Sequence, residues 1–353
     1  MKKIENKIRR KLQKGTVIPA HPLALKQNRK IDSKRQRALT RYYLDAGAGG
    51  LAVGVHTTQF AIRDPEIDLY KKVLSLAVEE VEKSGKSNII KVAGVSGLTK
   101  QAVGEAELAA KLGYDLVLVS NNGLQALSEK ELLYRAKMVS EVMPVFGFYL
   151  QPAVGGKVFT RKFWEEFCEI PNVLAIKIAP FNRYQTMDVV QAVCHSSRVH
   201  DITLYTGNDD NILLDLITTY KIHTPKGVVE KDIAGGLLGH WAVWTQKAVE
   251  LLKLAKKIKS GKADLTMDTL SLAQEITDSN AAFFDAQNQF KGCIAGLHEV
   301  LRRQGLFEGI WCLDEEEDLS PGQAEEIDRV YKAYPHLNDD KFVRKHLKKW
   351  LQK

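Results

Sequence analysis

The stretch Val173–Ala179, which reads VLAIKIA, is an almost unbroken apolar run that contains one charged residue, Lys177. Such runs are typical of strands in parallel sheets, because helices cover both faces of these sheets. Burying an ammonium group is costly, so a lysine in such a strand tends to lose its proton and become nucleophilic. The alternative is an edge-strand lysine whose amine reaches water. The stretch therefore predicts a parallel sheet and suggests an amine that forms a Schiff base with a ketone.

On both sides of this stretch, short apolar runs alternate with amphipathic segments. Strands are predicted at residues 16–20, 51–55, 89–93, 115–119, 145–149, 173–178 and 202–205, and an eighth between residues 227 and 238. This alternation indicates βαβ units and an α/β fold with a parallel sheet. An open doubly wound sheet and a closed barrel both fit the pattern. The strand count, and the lack of GxGxxG after any strand, favour a (β/α)8 TIM barrel.

The strand pattern stops near residue 240, and this sets the predicted domain boundaries. Residues 1–14 form a basic N-terminal segment, residues 15–240 the barrel, and residues 241–353 a barrel-closing and C-terminal helical region. Helices in the last region are predicted at Trp241–Ser260, Met267–Gln289, Cys293–Gln304 and Pro321–Ala333, followed by a basic terminal helix. We therefore expect a TIM barrel with a C-terminal helical extension.

Composition and charge limit the possible partners. The net charge of +8 is concentrated at the two ends, because residues 1–14 and residues 341–353 each carry a net charge of +6. A basic stripe interleaved with aromatic residues is missing, so nucleic acid is not an expected partner. No apolar run approaches the roughly 20 residues that span a bilayer, and no secretory core follows the N-terminus. Neither a membrane nor a secretory route is expected.

The cysteines and the acidic run give no sign of a metal site. Cys168, Cys194, Cys293 and Cys312 lie far apart and form no CxxC pair, which argues against zinc and for reduced thiols in a cytoplasm. The run Asp314–Asp318 lacks the alternating ligand spacing of a cation-binding loop. We expect no metal, and Schiff-base chemistry needs no cofactor.

Reactive side chains of a (β/α)8 barrel project from the C-terminal ends of its strands. The second predicted strand runs into Gly54–Gln59 (GVHTTQ), whose small and hydroxyl side chains could cradle a carboxylate. The fifth ends in Tyr149, which lies 28 residues before Lys177 and should therefore stand on the neighbouring strand at a similar height. A phenol beside the amine suits the proton transfers of carbinolamine formation. Lys91 has no such tyrosine and is interpreted as a structural residue.

With these residues in place, the sequence resembles the dihydrodipicolinate synthase and N-acetylneuraminate lyase family, the pyruvate-type class I aldolases on a (β/α)8 barrel. The resemblance extends from about residue 15 to residue 340. The segments that carry it are residues 17–22 (VIPAHP), 49–54 (GGLAVG), 91–95 (KVAGV), 113–119 (GYDLVLV), 149–152 (YLQP), 171–177 (PNVLAIK), 206–209 (TGND), 291–297 (KGCIAGL) and 319–322 (LSPG).

The resemblance implies that Lys177 forms an imine with a 2-keto acid such as pyruvate, and that Tyr149 relays protons. Substrate-binding candidates are His56, Thr57 and Thr58 in the second-strand loop, Gly207 in the turn after the seventh strand, and Asn121 after the fourth. Family members are commonly homotetramers, so a homo-oligomer, tetramer or dimer, is expected.

The chain also departs from the family pattern. The family's Gly-Thr-Thr-Gly-Glu is replaced by Gly54–Thr58 (GVHTT), which displaces the threonines and introduces His56. This imidazole is either an additional acid/base or carboxylate ligand, or a rim histidine bonded to a loop carbonyl. Ser120–Gly123 stands where the family has an aromatic pair, and Ala153–Gly156 stands where it has a carboxylate-binding arginine.

These departures shape the predicted function. We expect a Schiff-base lyase or aldolase, or a dehydratase, whose second substrate lacks a second carboxylate. Dihydrodipicolinate synthesis proper, from pyruvate and aspartate semialdehyde, is an alternative. A non-catalytic barrel that binds a metabolite is another.

Overall fold

The computed structural model describes residues 2–352, so Met1 and Lys353, the outermost residues of the predicted ranges, lie outside the described residues. Its strands are β1 (Val17–Pro19), β2 (Gly50–Val53), β3 (Ile90–Val95), β4 (Leu116–Val119), β5 (Val145–Tyr149), β6 (Val173–Ile178), β7 (Thr203–Thr206), β8 (Thr219–Thr224) and β9 (Gly227–Leu238). Its helices are α1 (Asn6–Lys14), α2 (Ser33–Ala46), α3 (Tyr70–Lys83), α4 (Thr99–Lys111), α5 (Glu129–Val142), α6 (Arg161–Cys168), α7 (Arg183–His195), α8 (Ile212–Ile217), α9 (Thr245–Lys259), α10 (Met267–Phe283), α11 (Cys293–Arg303), α12 (Gln323–Ala333) and α13 (Asp340–Trp350).

The fold is a (β/α)8 TIM barrel followed by C-terminal helices, as predicted. The seven located strand predictions correspond to β1–β7, and the eighth corresponds to the second half of β9. The helices predicted beyond residue 240 are present as α9–α12, although α10 ends at Phe283 rather than at Gln289. The helix starts follow their capping residues: the Ser128 and Thr160 side chains accept hydrogen bonds at the N-termini of α5 and α6.

One compact unit consists of residues 2–16 and residues 90–237. Within it, β3, β4, β5, β6, β7 and β9 pair in parallel in that order. Strands β4, β5 and β6 are buried at every position, which confirms the expectation of a sheet without a solvent-exposed face. Helices α4–α7 pack side by side on one face of this sheet. We call the opposite face its inner face.

A β-bulge between β5 and β6 determines which side chains share the inner face. Val145 pairs with Val173, whereas Phe146 pairs with Ala175, so Leu174 is an extra residue on β6. From this point Phe148 opposes Lys177, and the next residue along β5 opposes Ile178. A one-residue shift in register moves a side chain to the other face of the sheet.

Strand β8 was not predicted from the sequence. It pairs antiparallel with the first half of β9, from Thr219 opposite Asp232 to Thr224 opposite Gly227. Only after Ile233 does β9 pair with β7 as a barrel strand. The first half of β9 therefore pairs with β8 and its second half with β7. This explains why the barrel part of β9 was hard to locate in the sequence.

The other compact unit consists of residues 17–89 and residues 238–352. Its two strands meet at a parallel bridge between Ala20 and Ala52, and α2 packs against α3, α9 and α13. The Trp350 ring of α13 lies 5.4 Å from the Tyr42 ring, and its Nε1 donates to Asp45 Oδ2 at 2.9 Å. These contacts fix the C-terminal helix on α2. Across residues 2–352, every helix is too short or too polar to cross a membrane.

Candidate active site

Lys177 lies on the inner face of the sheet near the C-terminal end of β6. It is 7% exposed, and it is in register with Phe148 on β5 and with Tyr205 on β7. Its Nζ lies 4.4 Å from the centroid of the Phe148 ring. The sequence left open a buried lysine and an edge-strand lysine, and the structure has the buried one, on a strand paired on both sides.

Gly207 provides the space for this lysine. A Cβ atom at position 207 would lie 2.5 Å from Lys177 Cε and 2.8 Å from Ala179 Cβ, closer than van der Waals contact permits. The backbone is held at this point because Gly207 N donates to Ile178 O at 2.7 Å. The structure therefore brings Gly207 and Lys177 together, and glycine is required there by close approach.

Tyr149 is placed differently from the prediction. Its ring packs on the helix side of β5, 5.2 Å from Trp164 of α6 and 5.6 Å from Phe159. Its phenol oxygen accepts a hydrogen bond from Phe159 N at 3.2 Å. Burial raises the pKa of this phenol above its ordinary value, and the hydrogen bond from Phe159 partly offsets the effect.

The β5–β6 bulge is the physical reason for this difference. Without the extra Leu174, a spacing of 28 residues would place Tyr149 opposite Lys177. With the bulge, Phe148 takes that position and Tyr149 turns to the helix layer. Tyr149 and Lys177 stand on neighbouring strands, as predicted, whereas the phenol expected beside the amine lies on the helix side of β5. Sequence reasoning missed Phe148 because a bulge of this kind leaves no clear sequence signal.

The loop after β2 belongs to the other compact unit and carries three residues that were predicted to bind substrate. Thr58 is fully buried, and its Oγ1 accepts from Gly54 N at 3.0 Å and donates to His21 O at 2.7 Å. A hydroxyl has one proton, so Thr58 has none left for a substrate carboxylate. The predicted ligand role of Thr58 is therefore replaced by a structural one, in which it ties the ends of β1 and β2.

Thr57 is the better ligand candidate in this loop. It is 3% exposed, and its Oγ1 has no hydrogen-bond partner within residues 2–352. A buried hydroxyl without a partner costs about 1–3 kcal/mol, which a bound acceptor would recover. The His56 ring is only partly buried and lies 6.0 Å from the Phe60 ring.

Two buried polar residues near this loop were not among the predicted site residues. His21 contacts Thr40 Oγ1 at 2.9 Å through Nε2 and Gln36 Nε2 at 3.0 Å through Nδ1, and burial lowers its pKa to about 4. Gln59 has a φ of 67° and accepts from Leu313 N at 2.6 Å. His21 is part of the VIPAHP segment, but its sequence context does not separate a structural histidine from a catalytic one.

Asn121 is held from the side of α5. Arg135, fully buried, donates to Asn121 Oδ1 at 3.3 Å, to Ser120 O at 2.9 Å and to Gly97 O at 2.7 Å. Burial lowers the pKa of this guanidinium to about 10, and Glu105 opposes the shift. The bond to Oδ1 orients the Asn121 amide and turns its Nδ2 away from the arginine. These contacts join Asn121 to α5 rather than to Lys177.

No metal site accompanies these residues. Within the described chain, no group of three or more His, Cys, Asp or Glu side chains is placed to hold a metal ion.

Comparison with protein families gives one match. Residues 13–220 match the model of the dihydrodipicolinate synthetase family, which is more than half of the chain. A comparison with curated proteins gives no match.

Solved structures with the same fold extend over almost the whole chain. An N-acetylneuraminate lyase from Fusobacterium nucleatum complexed with pyruvate is 17% identical, with a TM-score of 0.71 over 94% of this chain and 98% of that one. YagE, a prophage protein of the dihydrodipicolinic acid synthase family from E. coli K12 in complex with pyruvate, is 17% identical, with a TM-score of 0.72 over 92% and 98%. Dihydrodipicolinate synthase from Oceanobacillus iheyensis is 16% identical, with a TM-score of 0.70 over 91% and 96%. At these identities the likeness establishes the fold.

Proposed function

Because this chain belongs to the dihydrodipicolinate synthetase family, we propose that it is a Schiff-base-forming lyase or aldolase that joins Lys177 to a 2-keto acid such as pyruvate. Membership supports a pyruvate-type lyase, and two proteins with this fold were solved with pyruvate bound. The observation that carries the proposal is a lysine only 7% exposed in a strand that is buried at every position.

The chemistry follows from an amine in this setting. The Lys177 nitrogen attacks the keto carbon, a carbon–nitrogen bond forms, and the carbonyl oxygen leaves as water. The resulting iminium accepts electrons from the carbon next to it. The bond from that carbon to the following carbon can therefore break or form, or a hydroxyl group can leave from the following carbon. We do not assign the proton transfers to Tyr149, because its phenol packs against Phe159 and Trp164.

Substrate recognition needs hydrogen-bond donors for a carboxylate. We propose Thr57 as one, since its buried hydroxyl has no partner in the described chain, and we retain His56 as a second candidate. Asn121 and Gly207 are retained as further substrate-binding candidates, Gly207 because the Lys177 stem leaves no room for a side chain there. The chain lacks the arginine with which the family binds a second carboxylate, and this favours an acceptor substrate other than aspartate semialdehyde. We also propose a homo-oligomer, on family grounds.

Borohydride reduction in the presence of pyruvate tests the imine. We expect mass spectrometry to locate a reduced pyruvate adduct on the peptide that contains Lys177, and Lys177→Ala to abolish it. Lys91→Ala is the matched control, because Lys91 also stands in an apolar strand, and it should still give the adduct. A wild-type protein without an adduct would leave only the non-catalytic barrel. Robust turnover of pyruvate with aspartate semialdehyde would instead assign dihydrodipicolinate synthesis proper.

A further inference from the structure

Asp215 of α8 is the centre of a buried hydrogen-bond network in the unit that contains Lys177. Its side chain is fully buried and accepts from Thr206 Oγ1 at 2.6 Å, from Asn208 Nδ2 at 3.0 Å and from Asn211 Nδ2 at 3.0 Å. Arg183, the first residue of α7, forms an ion pair with it. Four donors on one carboxylate indicate a role in holding backbone segments in place.

The network joins the segment after β6 to the segment after β7. Asn208, also fully buried, donates to Asp215 and accepts from Phe181 N at 3.1 Å through Oδ1. Phe181 has a φ of 53°, in the left-handed region that a non-glycine residue enters at a cost. The hydrogen bond from its amide therefore holds a conformation that the segment would not otherwise prefer.

Lys177 precedes the first of these segments on the same strand and lies against the second at Gly207. Thr206 and Asn208, both bonded to Asp215, flank Gly207, where a Cβ atom would collide with the Lys177 stem. Phe181 follows Lys177 by four residues along the same chain segment. Any shift of Gly207 therefore changes the space that orients the Lys177 amine.

We propose that Asp215 is a positioning residue for Lys177, which acts through the Thr206–Asn208 turn to set the orientation of the reactive amine. This inference rests on the proposed imine chemistry of Lys177. A misplacement of about 1 Å at a reacting atom can cost up to about a hundredfold in rate. Loss of one charge at the centre of the network, with its shape retained, should cost less than that.

The experiment is single-turnover trapping of the imine with pyruvate and borohydride in the full-length protein. Asp215→Asn keeps the side-chain size but removes the charge that Arg183 and three neutral donors share. We expect the trapping rate constant at saturating pyruvate to fall about tenfold, while the final fraction of chains labelled stays close to that of the wild type. Thr206→Val removes one hydrogen-bond donor at similar volume and should lower the trapping rate constant by a smaller factor. This variant tests the inference if Asp215→Asn does not fold.

A purely structural role predicts a different result. It would lower the melting temperature and the labelled fraction but leave the rate constant of the folded chains unchanged, and that outcome overturns the inference. Glu80→Gln is the matched control: Glu80 is another buried carboxylate, bonded by Arg37 and Arg41, in the other unit. An equal loss of rate in this control would also overturn it. If the wild type forms no adduct, the proposed function itself fails and the positioning role falls with it.

Discussion

At Lys177 two effects act in opposite directions on the charged amine. The face of the Phe148 ring, 4.4 Å from Nζ, favours the ammonium by about 2 kcal/mol in a desolvated site. Removal from water disfavours it by several kcal/mol. The neutral amine is the nucleophilic form that the proposed imine chemistry requires. The ring also occupies the inner-face position where the sequence predicted a phenol, and a phenyl ring has no proton to transfer.

Tyr149→Phe separates the sequence prediction from the structure. The hydroxyl accepts from Phe159 N on the helix side of β5, so its removal should change the rate of imine trapping less than about threefold. A general acid–base group would contribute about 10²–10⁴-fold. The measurement is the rate of borohydride trapping with pyruvate, with the melting temperature as the control for lost packing. A decrease beyond a hundredfold would restore Tyr149 as the proton relay.

At the scale of strands and helices, most of the fold was predictable and one register was not. The apolar runs located β1–β7, because a buried parallel strand is recognised by its own composition. The hairpin of β8 with β9 was missed because Thr219–Thr224 (TYKIHT) mixes polar and apolar residues, although Pro225 and Gly227 give a turn signal at its tip. The extra Leu174 was not visible either, because a bulge is decided by pairing between strands. Lys177 was therefore found from sequence, whereas its neighbour on β5 was not.

Two glycines of this sheet allow a matched comparison. A Cβ at Gly207 would collide with the Lys177 stem, whereas a Cβ at Gly147 on β5 would collide with the Phe167 ring of α6, at 2.6 Å. We expect Gly207→Ala to slow imine trapping at least tenfold, because Lys177 must move. Gly147→Ala should lower the free energy of unfolding by about 1–3 kcal/mol through overpacking, and leave trapping within about threefold. Equal effects of both variants on trapping would argue against a specific contact between Gly207 and Lys177.

For the molecule as a whole, buried titratable groups set the response to acid. His21, His240 and His298 are each fully or almost fully buried, and burial lowers the pKa of each to about 4. The unfolded chain binds these protons near pH 6.5, so it takes up more protons than the folded chain between pH 6.5 and about pH 4. Their contribution to stability is complete above pH 6.5 and is lost as the pH falls toward 4.

Glu317 acts in the opposite direction. Burial first, and Asp314 second, raise the pKa of its carboxyl to about 7. The folded chain therefore binds this proton more readily than the unfolded chain. As the pH falls from 7 toward the pKa of this carboxyl in the unfolded chain, Glu317 adds stability. One such carboxyl offsets about one of the three histidines.

We therefore expect these four groups together to lower the free energy of unfolding, measured by denaturant titration, by about 3 kcal/mol between pH 7 and pH 5. Glu317→Gln removes the opposing group and should increase that loss to about 5 kcal/mol, because the three histidines then act alone. His298→Gln should reduce the wild-type loss by about 2 kcal/mol. A free energy of unfolding that stays constant from pH 7 to pH 5 would contradict the neutral state of the three buried imidazoles.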